Sequence, residues 1–214
     1  MRPFLRRLRT SAGSYLRRAP GTYTWLLALF ITTVALHRMD PHFEQEFLRQ
    51  RSTNLHELST HPVRVLVSSA LWTDGPWWPY ALLYTVLHAH AEHWLGTLRW
   101  LVVVAAAHVL ATLISEGALL WAISTGHAPA SAVNTLDIGV SYALAGTIGI
   151  LTYRLPPPWR YVYLAVVLTL FGSPLATSRT FTDLGHFTAL LIGLACYPLC
   201  PGRRAPLPRT RPAQ

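Results

Sequence analysis

An all-helical membrane protein, a bundle of six transmembrane helices, is the fold this sequence predicts, and three observations predict it. Six apolar stretches are separated by polar or Pro-rich breaks. Hydrophobic residues make up 51% of the chain and charged residues only 13%, about half the charged share of a soluble domain. The basic residues gather at the two ends, outside the apolar stretches. The 214 residues suit one domain. They divide into a basic cytoplasmic head (1–20), a six-span membrane domain (21–200) and a basic tail (201–214) of Pro and Arg in which disorder is expected.

The head carries Arg2, Arg6, Arg7, Arg9, Arg17 and Arg18 and no acid, a pattern suited to anionic lipid. The first apolar run, Tyr23 to about His37, has no small-residue cleavage site after it and reads as a retained span. Residues 38–75 hold most of the acids. Asp40-Pro41 is a helix-start signal, and Phe43, Phe47 and Leu48 share one face of an amphipathic helix at the membrane surface. Val63 to Trp72 is apolar enough to dip into the interface.

The second span is expected from about Trp77 to His90, with Trp77, Trp78 and Tyr80 as its interfacial belt. A polar turn, His90 to His93, follows it. The third begins near Leu98 and reaches Ser115 or beyond; Glu116 either ends a segment there or is functional. The fourth covers about Asp137 to Tyr153, and Pro156-Pro157-Pro158 is a stiff connection to the fifth, Tyr161 to Phe171. Gly172-Ser173-Pro174 signals the end of that helix, and the sixth covers Asp183 to Cys200. Cys196 and Cys200, one turn apart, imply no disulfide framework.

All 18 basic residues are Arg, which points to a GC-rich bacterial genome. With six spans, only Arg38, Arg49, Arg51, Arg64 and Arg179 fall outside, so the positive-inside rule places both termini in the cytoplasm. The expected location is the bacterial inner (plasma) membrane, with lipid as one partner. The net charge of +9 is therefore a topology signal, and no nucleic-acid partner is expected.

Ionisable groups inside a span are costly and are functional candidates by default. Asp137 and Asp183 each open an apolar helix, where a carboxylate caps free N–H groups. His108 and His186 lie deeper. Ser141 sits one turn inside the fourth span and His186 one turn inside the sixth, at matched depth. Small residues at four-residue spacing accompany them: Ser141, Ala145 and Gly149 on one helix, Gly185, Ala189 and Gly193 on the other. Such stripes let helix backbones approach closely. Close approach would bring Ser141 and His186 into the hydrogen-bond range a nucleophile–base pair requires.

Gly139-Val140-Ser141 with Gly149, and Gly185-His186 with Ala189 and Gly193, resemble the G-x-S helix and the final helix of the rhomboid superfamily. Glu92 to Gly96 with Arg99 resembles that family's turn between second and third spans. Residues 62–72 resemble the family's approach to the second span, residues 54–56 and 62–67 together resemble a divergent bacterial rhomboid-like subgroup, and the likeness covers about residues 20–200. It implies an intramembrane serine protease fold in which Ser141 is the nucleophile and His186 the base, with no cofactor and no metal.

In the family a His and an Asn four apart on the second span support the oxyanion. Here the matching stretch, Trp77 to Leu82, has neither; Trp78 and Leu82 stand four apart where a pair of donors would serve. Gly139 precedes the nucleophile, and Tyr142 follows it where the family has Gly. Two readings stay open: a serine endopeptidase with a reduced oxyanion hole, and a pseudoprotease that binds transmembrane segments of client proteins without cutting them. A metal-dependent hydrolase built on His186, Asp183 and Asp137 would suit zinc by ligand type but has no H-E-x-x-H motif, and no inverted repeat suggests a transporter.

Overall fold

In the computed structural model, residues 16–73, 75–178 and 180–202 are described. Most of the basic head, Asp74, Arg179 and the tail from Arg203 lie outside them. Among the described residues the protein is all-helical, with no strand.

Helix α1 (Pro20–Leu36) starts with Pro at its first turn, where a missing N–H costs nothing. Three short helices follow: α2 (Pro41–Arg51), α3 (Leu55–Thr60) and α4 (Pro62–Ser69). The Asp40 side chain caps α2 by accepting from the His42 N–H at 3.0 Å, and Asn54 caps α3 by accepting from the Glu57 N–H at 3.0 Å. The apolar face of α2 packs through Phe47, whose ring stands edge-on to Trp72 at 4.8 Å.

The second apolar segment is longer than its sequence signals suggest. Helix α5 (Trp77–Leu83) passes through a π-helical turn, Tyr84–His88, into α6 (Ala89–Leu95). The polar stretch at His90 to His93 is helical, because the Glu92 carboxylate is satisfied inside the protein. It accepts from the N–H groups of Gly21 (2.9 Å) and Thr22 (2.7 Å) and from the Thr97 hydroxyl (2.8 Å). An acid on the second segment thereby caps the first. Gly96, at φ 84°, then makes the break that an L side chain rarely permits.

Helix α7 (Thr97–Ser124) is 28 residues long, about 42 Å at 1.5 Å per residue. Glu116 does not end it. Helix α8 (Val140–Leu151) is shorter than its apolar run and continues as a 3-10 turn through Arg154. Helix α9 (Trp159–Thr177) runs through Pro174. The predicted stop at Gly172-Ser173-Pro174 fails because a proline forfeits only one backbone bond at a helix end. Thr177 and Ser178 hydroxyls return bonds to the Ser173 and Pro174 carbonyls at 2.9 and 2.8 Å. Helix α10 (Phe181–Ala195) opens with a capping box between Thr180 and Asp183.

By length and apolarity α7 and α9 qualify as complete membrane crossings, while α1 and α10 are apolar but shorter. The core is the trio α7, α8 and α10. There the backbones touch: a methyl added at Gly146 would collide with Ala107, at Gly149 with the Leu190 carbonyl, and at Gly193 with the Gly146 carbonyl. Ala145 and Ala189 are buried in the same seam. Helix α9 lies at its edge, with Val167 its one buried residue.

Candidate functional site

Gly139 and Val140 start α8, and Ser141 sits in its first turn, half-buried. Gly139 is fixed by the His108 ring of α7, which occupies the space a Cβ would need. That ring bonds the Leu66 carbonyl of α4 at 2.8 Å and lies 3.4 Å from the Ser69 hydroxyl. His108 therefore joins a surface helix, α7 and the start of α8, a structural use for an intramembrane imidazole.

The Ser141 hydroxyl donates back to the Ile138 carbonyl at 3.4 Å, a long and weak bond. His186, one turn into α10, is half-buried and meets two rings: Tyr142 edge-on at 5.1 Å and Phe171 at 6.3 Å between centroids. Among the described residues no hydrogen bond joins Ser141 to His186. The side chain that α8 sends toward α10 at this level is Tyr142. Its ring lies against Gly185, where a Cβ would strike it, and its hydroxyl donates to Asp137 Oδ2 at 3.0 Å. A crevice of about 280 Å³ lined by Leu170, Phe171, Pro174, Asp183 and His186 opens on the α9 side of the imidazole.

The two acids that open helices differ. Asp183 is a cap: its Oδ2 accepts from the Thr180 N–H at 3.1 Å and from the Thr180 and Ser178 hydroxyls at 2.6 Å. Asp137 makes no cap on α8. Its carboxylate takes bonds from Tyr142 and from the Thr53 hydroxyl (3.3 Å), and its carbonyl accepts from the Thr53 N–H at 2.9 Å and the Ser52 hydroxyl at 2.9 Å. Asp137 thus anchors the loop before α3 to the start of α8.

Trp78 and Leu82 are 67% and 59% exposed and, with Val86, form an outward stripe on α5 and the π-helical turn. The opposite face carries Trp77, Tyr80, Ala81 and the buried Tyr84, which pack with Val140 and Ile138. The second segment therefore presents rings and methyls, not amide or imidazole donors, to the start of α8. Among the described residues no group of three or more His, Cys, Asp and Glu converges as a metal cluster.

Sequence reasoning passed over His88. It is fully buried among Trp25, Tyr84 and Trp100, and its Nδ1 accepts from the Trp100 indole N–H at 3.2 Å. Its place inside the second apolar run, two residues before the run's expected end at His90, was the available signal.

Residues 14–206 match the profile of a family described as rhomboid-like protein. No curated protein and no solved structure matches the chain at a significant level.

Proposed function

Because the chain belongs to the rhomboid-like protein family, we propose that it works in the plasma membrane as a six-span pseudoprotease, binding transmembrane segments of client proteins without cutting them. The observation that carries this reading is the pairing of His186 with Tyr142 rather than with Ser141. A serine is a poor nucleophile at neutral pH unless a base takes its proton. Here the imidazole faces an aromatic edge, and the tyrosine hydroxyl beside it is committed to Asp137. The second requirement, donors for a developing oxyanion, is also weakened, since losing one donor typically costs about 10²–10³ in rate. The small-residue seam and the bundle survive without either.

A protease remains the second reading, favoured by the crevice that reaches His186 and by a Ser141 that is half-buried rather than sealed in the core. A fluorophosphonate probe on the purified protein separates them. The expected result is no labelling above that of Ser141→Ala, with photo-crosslinking to a model transmembrane peptide equal in both. Labelling of wild type that Ser141→Ala abolishes overturns the proposal.

A further inference from the structure

The surface helices hold a polar cleft that neither reading uses. It measures about 230 Å³, and every residue lining it is polar. Glu46, Arg49 and Gln50 come from α2, Asn54, His56 and Glu57 from the start of α3, and Asn134 from the loop between α7 and α8. Both signs of charge are present. Arg49 lies 3.4 Å from Glu46, and Glu57 is paired with Arg64 of α4 at 2.6 Å. With two acids against two guanidinium groups, the cleft is dipolar and carries no net charge.

Its back wall is fixed. Asn54 is buried; its side-chain amide donates to the Arg49 carbonyl at 2.8 Å, and its side-chain oxygen accepts from the Glu57 N–H at 3.0 Å. The residues before it, Ser52 and Thr53, donate to the Asp137 carbonyl. The front is loose. Arg49 and Glu46 are each about half exposed, and the Gln50 amide reaches Glu46 only at 3.3 Å. An exposed pair of this kind contributes little, so a ligand can displace it. A rigid wall behind exchangeable charges is preorganised for binding.

The level of the cleft identifies the ligand. Helices α2 and α4 expose Phe43, Val63 and Val67 on the same segment that carries these charges. A segment exposing both large apolar side chains and charges settles at the boundary between the apolar layer and the lipid headgroups. A cleft there with a cationic and an anionic group matches a headgroup that carries both signs. The guanidinium takes a phosphate and the carboxylate takes an ammonium. The volume is below the roughly 300–1,000 Å³ of a drug-sized ligand's pocket, and the polar lining offers nothing to an acyl chain. The chains stay in the bilayer.

We propose that this cleft binds the headgroup of a zwitterionic phospholipid with a primary ammonium, of the phosphatidylethanolamine class, with Arg49 on the phosphate and Glu46 on the ammonium. The headgroup enters the surface ion pair and gives each side chain a new partner. A primary ammonium donates hydrogen bonds; the quaternary ammonium of a choline headgroup cannot, and a glycerol headgroup has no cation. The site is independent of whether Ser141 is a nucleophile.

Native mass spectrometry of the full-length, delipidated protein in detergent micelles tests this. The probes are phosphatidylethanolamine, phosphatidylcholine and phosphatidylglycerol with identical acyl chains, and free O-phosphoethanolamine. A hydrogen bond to a charged group is worth a factor of about ten or more in affinity. Phosphatidylethanolamine should therefore bind once per chain, about tenfold or more tightly than the other two lipids. Arg49→Gln should weaken it by about tenfold, and Glu46→Gln should erase its margin over phosphatidylcholine. Both residues are exposed, so the lipid-free variants should melt with the wild type. Equal retention of the three lipids overturns the proposal, and so does a phosphatidylethanolamine preference that survives both substitutions, which would place the lipid elsewhere. Free phosphoethanolamine binding as tightly as the lipid overturns it too, by giving the cleft a soluble ligand.

Discussion

Replacing Glu92 should loosen the first helix from the rest of the bundle. Its fully buried carboxylate accepts three bonds, from the N–H groups of Gly21 and Thr22 and from the Thr97 hydroxyl. The two N–H donors belong to the first turn of α1, which is otherwise uncapped, since Ala19 offers no side-chain oxygen. Bonds to a charged acceptor contribute about 1.5–3 kcal/mol each. Glu92→Gln keeps one oxygen, which can still serve Gly21 and Thr97. Its amide nitrogen then faces the Thr22 N–H, where 2.7 Å separates donor from acceptor in the native protein. One bond is lost and two donors are opposed, for a cost of about 2–3 kcal/mol. Glu92→Ala removes all three bonds and leaves a cavity, for at least about 4 kcal/mol. At about 2–4 °C per kcal/mol for a chain of this size, the melting temperature should fall by roughly 4–12 °C for Gln and more for Ala. The assay is a thermal melt in detergent followed by tryptophan fluorescence, because Trp100 and Trp25 pack at this junction. A Glu92→Ala protein within 1 kcal/mol of wild type would refute the capping argument.

Gly193→Ala should destabilise at the upper end of the overpacking range, about 1–3 kcal/mol, because the added methyl meets the Gly146 backbone and not a flexible side chain. Gly117→Ala, in open space on α7, should instead stabilise by about 0.5–1 kcal/mol; equal melting shifts in the two variants would contradict the packing account. For topology, reporter fusions should place both termini in the cytoplasm and the segment 38–75 outside, as the Arg distribution requires. A reporter at the C-terminus that is active outside would remove the even number of spans.

The apolar runs made the helices legible, and the helix start at Asp40-Pro41 and the capping role of Asp183 were legible because capping is local chemistry, although the last helix begins at Phe181, two residues before the expected Asp183. What stayed hidden was long-range. The polar stretch around Glu92 reads as a turn until Gly21 and Thr22, seventy residues away, are known to donate to it. Pro174 reads as a stop, but hydroxyls one turn later mend the helix end. At the candidate site, spacing put Ser141 and His186 at one depth but carried no information about rotation. One residue along a helix is about 100°, and that offset gives His186 the Tyr142 ring as its neighbour. Asp137 looked like a cap because it precedes a helix; its partners, Thr53 and Tyr142, come from a loop and from the next turn.

The edge position of α9 sets how freely its sequence can drift. Val162 and Val166 stand four residues apart and are 52% and 57% exposed, below the crevice that Leu170 lines, so nothing but their affinity for lipid selects them. Any long apolar side chain meets that requirement, and large variation among descendants of this gene is tolerable there. At Gly146, Gly149 and Gly193 a single carbon is refused by backbone. Two surfaces thus age at different rates: the outward face of α9 can be rewritten almost letter by letter within one chemical class, while the seam of α8 against α10 must be inherited intact.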